Sequence, residues 1–134
     1  MAASASDEPI ACEEHCMFCF EAIEAAFDER EPPKPSFPHA EYRLPFFVTL
    51  KKSRPGGGLA LRGCIGSLSG RPLGEIGDYA LKSAFEDGRF EPLRRAELKD
   101  LHCSVSLLVR YERDKRWDDW VVGTHGIIID FTGP

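Results

Sequence analysis

The stretch Leu61-Arg62-Gly63-Cys64-Ile65-Gly66 lies inside a run of strand formers, "LALRGCIGSL" (59–68), yet carries two glycines. Glycine weakens a strand because it brings no side chain to the pleated surface and loses the most conformational freedom on folding. Two of them in one strand are tolerable where another backbone or a ligand comes too close for a Cβ. The fold must therefore bring something into short-range contact with this strand.

The neighbouring segments suggest what that could be. "PFFVTLKK" (45–52) is a second strand, joined to the first by "SRPGGG" (53–58), so the pair reads as a hairpin with a Gly-rich tip. That tip is no phosphate loop, because no Lys-Ser or Lys-Thr follows a G-x4-G spacing. Leu73, Ile76, Ala80, Leu81, Ala84 and Phe85 recur at helical spacing and predict a helix over 72–87, with Gly88 placed to end it. A short helical turn is expected at 95–98, a strand at 101–112, and two extended pieces within 119–131.

Upstream, the pattern predicts a helix from Asp7 to Glu29, capped by Asp7, eased in by Pro9 and stopped by Pro32-Pro33. Residues 31–44 read as an extended connection that packs through Phe37, His39 and Tyr42. Strand runs interleaved with helices imply an α+β domain, a largely antiparallel sheet flanked by helices. At 134 residues there is room for one core. Residues 1–8 are expected to form a disordered tail and 9–134 the domain.

With 43% hydrophobic and 29% charged residues, and no apolar run near the roughly 20 residues of a membrane span, the chain reads as a soluble protein with no membrane partner. A net charge of −5 argues against general affinity for nucleic acid, although Arg62, Arg89, Arg94 and Arg95 are candidates for a local basic patch. The five cysteines are odd in number and there is no Asn, hence no glycosylation sequon. A disulfide framework is not expected, and an intracellular address, cytoplasmic or nuclear, is.

"CEEHCMFC" (12–19) has the C-x3-C-x2-C spacing of an iron–sulfur site, with His15 as a further zinc ligand type. At about 100° per residue, however, Cys12, Cys16, Cys19, Phe20, Ile23 and Phe27 share one arc, and Glu13, Glu14, Glu21 and Glu24 share another. The cysteines are read as the first half of a core stripe, with no metal and no cofactor.

"LRGCIG" resembles the signature of the AMMECR-one domain family. "FCF" (18–20), "PFFVTLKK" before the signature, "SAFEDGRFEPLRRAEL" (83–98) with "CSVSLL" (103–108), and "VGTHGIIIDF" (122–131) resemble further family segments in the same order. The resemblance implies an α+β fold and a suspected functional site centred on Arg62 and Cys64, with no securely assigned reaction. Family domains continue beyond the segment matching 126–131, so the chain is expected to be C-terminally truncated relative to the family.

Two chemical readings of the signature follow. Cys64 as nucleophile, His125 as base and Arg62 as anion clamp would supply the parts of a Cys-dependent enzyme acting on a small molecule or modified nucleotide. Alternatively, Arg62 and Arg89, with Gly63, Cys64, Ile65 and Gly66, form a binding surface for a small anionic ligand or a protein partner, the role of a regulatory or binding domain. A bland role for Arg89 is an ion pair with Asp87 that fixes the turn after the second helix, with Phe90 plugging the core and Pro92 setting the corner. Trp117 and Trp120, in "YERDKRWDDW", are candidate partner anchors.

Overall fold

In a computed structural model of the chain, residues 9–109 are described. Expectations for the 1–8 tail, the Asp7 cap, the end of the 101–112 strand, the 119–131 segment, Trp117, Trp120 and His125 fall outside these residues. The described elements run α1 (Glu13–Phe27), β1 (Arg43–Ser53), β2 (Leu59–Pro72), a 3-10 turn (Leu73–Glu75), α2 (Ile76–Phe85), a second 3-10 turn (Arg95–Asp100) and β3 (Leu101–Leu107). The strands form one antiparallel sheet in the order β2-β1-β3. The α+β class is thus as read.

Strand β1 is central because its alternation suits a sheet packed on one face. Phe46, Val48 and Leu50 are fully buried, while Lys51 is exposed. Opposite them, Ile65 and Gly63 on β2 and Leu107, Val105 and Cys103 on β3 face the same way. The helices cover that face: α2 packs on β1 and β2, α1 on β3, and the two pack on each other. Phe18, Cys19 and Ile23 of α1 meet Ile76, Ala80 and Ala84 of α2 in the core. Gly77 lets the helices approach, since a Cβ there would stand 3.0 Å from the Phe18 ring. Between α1 and β1, Phe37 is buried edge-on to His15 at 4.8 Å and to Phe18 at 5.3 Å.

Several boundaries differ from the sequence reading: the strand expected over 59–68 runs on to Pro72, and the helix expected from 72 starts at Ile76 after a 3-10 turn. Helix α1 begins at Glu13, with Cys12 in extended conformation as its N-cap, and His15 Nδ1 accepts the Cys12 N–H at 3.2 Å. The expected stripe holds from Cys16 on, with Cys19 and Ile23 in the core, Phe20 and Phe27 packed against it and Cys16 part-buried, while Cys12 is exposed and the buried face widens to take in His15, Phe18, Ala22 and Ala25. Helix α2 stops at Phe85, before Gly88, whose surroundings are open. The reason is Asp87, whose carboxylate leaves the helix to bind the edge of β2.

Both glycines of the signature mark close approaches. A Cβ on Gly63 would collide with the Ser83 carbonyl of α2, and one on Gly66 would collide with Phe46 O and the Phe47 ring. The Ser83 hydroxyl is wedged into the hairpin ladder. It accepts the Ile65 N–H at 3.0 Å and donates to Val48 O at 2.9 Å, joining a cross-strand pair through one side chain. At the hairpin tip, Gly56, Gly57 and Gly58 all have positive φ, where other residues would be strained.

Candidate functional site

Arg62 is the extra residue of a β-bulge. Leu50 pairs with Gly63 and the next residue, Lys51, with Leu61, so Arg62 has no partner on β1. A bulge re-aims the side chain it carries, and here the guanidinium reaches the second 3-10 turn. Arg62 Nε donates to Glu97 Oε1 at 2.9 Å, and Nη2 donates to Glu97 Oε2 at 3.1 Å and to the Glu91 carbonyl at 2.8 Å. Lys52 Nζ shares Glu97 Oε1 at 3.1 Å, and the Arg94 N–H donates to Glu97 Oε2 at 2.8 Å. Both side chains of the Arg62–Glu97 pair are nearly buried, 11% and 10% exposed. The Arg62 bonds are the main cause that pulls the Glu97 carboxyl down to about 2, with burial working against them and the Arg94 N–H and Lys52 adding to them.

The third nitrogen of Arg62, Nη1, is buried with no hydrogen-bond partner among the described residues. Arg62 lines a surface cavity of about 540 Å³ with Phe90, Glu91, Pro92, Arg94 and Glu97. That volume lies in the range of small-molecule sites.

One residue pair further along β2, the strand edge is closed by a different device. Asp87 Oδ2 accepts the Cys64 N–H at 3.0 Å, and Arg89 Nη2 donates to Cys64 O at 3.3 Å. Arg89 binds Asp87 in turn through Nε at 3.0 Å and Nη2 at 2.7 Å. The Arg89 bonds first, then the Cys64 N–H, hold the Asp87 carboxyl well below the usual carboxylate range. The Asp87–Arg89 pair foreseen from the sequence is present, and it serves the backbone of the signature. Phe90 is half-buried beneath the Arg89 guanidinium, 5.4 Å from ring centre to Cζ.

The signature's residues thus separate by direction. Gly63 and Ile65 face the helices, Arg62 faces the 3-10 turn, and the Cys64 side chain lies on the opposite face beside Thr49, Sγ to Oγ1 3.3 Å. Gly66 is covered by Phe47. Arg89 reaches Cys64, but at its carbonyl and not at its thiol. Two of the three described histidines have side-chain or capping bonds elsewhere, His15 with Cys12 and His102 Nε2 with Ser53 Oγ at 2.9 Å.

Glu97 and Ser83 were not singled out by the sequence reading. Glu97 had one weak signal, a Glu three residues after Arg94, the residue that caps the 3-10 turn, the spacing of a capping box. Ser83 had another, a hydroxyl set among Ala80, Ala84 and Phe85 on the apolar side of α2. Of the "CEEHCMFC" thiols, Cys19 is fully buried and Cys16 Sγ donates to Cys103 O at 3.4 Å. Burial, then the neighbouring Cys103, pushes Cys16 up to about 11. Among the described residues no three His, Cys, Asp or Glu side chains are grouped to hold a metal ion, and no helix is long and apolar enough to cross a membrane.

An α+β domain in which the outer strand among the described residues is locked through an Arg-Gly-Cys stretch is the class of protein that fold and site define. The model of the AMMECR1 family matches residues 16–134, and the chain belongs to that family. It is 46% identical over 122 residues to an uncharacterised protein of Arabidopsis thaliana, covering 90% of this chain and 56% of the relative. To an uncharacterised protein of Schizosaccharomyces pombe it is 36% identical over 121 residues, covering 89% and 62%. The crystal structure of an uncharacterised protein from Pyrococcus horikoshii is similar, with a TM-score of 0.57 at 31% identity over 70% of this chain and 48% of that one. The chain therefore spans about half to three-fifths of the length of these relatives.

Proposed function

We propose that the chain is a binding or regulatory module that uses the Leu61–Gly66 surface to take up an anionic group, carried by a small ligand or by a protein partner. The reading rests on Arg62. Its guanidinium is set out of the ladder by a bulge, fixed by Glu97, and keeps one nitrogen without a partner among the described residues beside a ligand-sized cavity. A buried guanidinium nitrogen left unmatched is costly, and an oxygen acceptor that displaces the exposed Glu91 carbonyl from the neighbouring Nη2 would repair it.

Melting temperatures measured across a panel of small anions test this. The expected result is at least one anion that raises the melting temperature of the chain and raises that of Arg62→Lys less, at equal concentration. A panel without effect, or equal shifts in the two proteins, refutes the assignment.

The Cys-dependent reading has less support, because the side-chain partner of Cys64 is the Thr49 hydroxyl and His125 lies outside the described residues. Faster alkylation of Cys64 than of exposed Cys12 at neutral pH would restore it. Nucleic-acid binding also loses ground, since Arg62, Arg89 and Arg95 are each ion-paired, with Glu97, Asp87 and Asp28. A salt-sensitive gel shift would restore that reading.

A further inference from the structure

Resting on the binding role just proposed, we infer that the group taken up at Arg62 is a carboxylate joined to an apolar or aromatic body, seated on the Nη1–Nη2 edge of the guanidinium in place of the Glu91 carbonyl.

An arginine guanidinium offers two edges that can meet a planar acceptor bidentately, and their occupancy here differs. The Nε–Nη2 edge is filled bidentately by Glu97. The Nη1–Nη2 edge is half filled: Nη2 donates to the Glu91 carbonyl and Nη1 to nothing among the described residues. A planar carboxylate spans that edge with two parallel hydrogen bonds, which a single carbonyl oxygen cannot do. Taking it breaks one bond, Arg62 Nη2 to Glu91 O, and Glu91 and Pro92 are exposed, so the freed carbonyl turns to water. The exchange replaces a neutral acceptor by a charged one and satisfies Nη1, both favourable.

The charge around the edge selects against a dianion. Around the edge stand Arg62, Lys52 and Arg94 against the carboxylates of Glu97 and Glu91, a balance of one positive charge that a monoanion neutralises and a dianion overshoots. The body of the ligand is set by the cavity, whose Phe90 and Pro92 walls suit an apolar or aromatic group. Free organic acids and the C-terminus of a polypeptide share this chemistry.

The test follows the Arg62 Nε–H and the backbone amides of Phe90 and Glu91 by NMR of the full 134-residue chain. Sodium benzoate, benzamide, inorganic phosphate, and a short peptide with a free C-terminal carboxylate or with that end amidated are titrated in turn. Saturable shifts at all three positions with benzoate, and none with benzamide or phosphate, are expected. The free-acid peptide binding more tightly than benzoate assigns the source to a protein C-terminus, and the reverse assigns it to a small acid. Phosphate shifting these signals while benzoate does not overturns the carboxylate inference and leaves the anion-binding role standing; no shift with any probe overturns both. Phe90→Ala leaves the Arg62–Glu97 pair in place and is expected to weaken benzoate about fivefold, with unchanged affinity refuting the apolar wall.

Discussion

Two carboxylates hold the edge of β2, and they do so in opposite ways. Glu97 is paired with an arginine as buried as itself, and their contact is the side chains' own. Asp87 is buried, but its Arg89 partner is 59% exposed, and the carboxylate's other work is to accept a strand N–H that has no other partner among the described residues. The first is a buried ion pair in a polar network. The second is a backbone cap that carries a solvent-facing counterion. Two arginine–carboxylate pairs therefore have different energetic standing, because burying both charges makes the loss of either one far more costly.

Removing Glu97 should separate the two most clearly. Glu97→Ala leaves Arg62 buried without its counterion and is expected to cost about 3–5 kcal/mol of stability, read from chemical denaturation. A loss no greater than that of Asp87→Ala would erase the distinction. Gly63→Ala comes next. A methyl group there presses on the Ser83 carbonyl between the two anchors, so an overpacking cost of about 1–3 kcal/mol is expected. Asp87→Ala should cost less than Glu97→Ala, yet deprotect the Cys64 amide in hydrogen exchange, while Arg89→Ala should have the smallest effect on stability and leave that amide protected. Exchange of the Cys64 amide at the wild-type rate in Asp87→Ala would show that the cap is not there.

The acid limb sharpens the same contrast. The folded-state value of Glu97 lies near 2, below its ordinary 4.5, so its contribution is complete above about 4.5 and is lost as pH falls towards 2. Glu97→Gln should flatten the fall in stability between those values. Equal pH dependence in the two proteins would mean that Glu97 is not held ionised by Arg62.

The elements were largely legible in the sequence because their signals are local. The hairpin, the second helix and the turn at 95–100 follow from alternation, helical spacing and punctuation by Gly and Pro. The demand that something touch Gly63 was also legible, since a glycine in a strand asks for it, but the identity of the visitor was not. Ser83 and Glu97 lie twenty and thirty-four residues beyond Gly63, and only the packing of α2 and the path of the chain after it bring them near the signature. The exposure of Cys12 and the burial of His15 escaped the helical pattern for a related reason. Its first turn is set by the Cys12 cap and by His15 folding onto Phe37, a contact from a segment with no periodicity to read.

The bulge at Arg62 has a consequence for insertions and deletions. Because Leu50 pairs with Gly63 and Lys51 with Leu61, a chain lacking residue 62 could keep both pairings and close the hairpin as a regular ladder. Arg62 is thus a supernumerary residue as far as strand pairing goes, retained for where its side chain reaches. A one-residue deletion here would be a frame-neutral edit of the sheet, removing the guanidinium while leaving Leu61 and Gly63 facing as they do now.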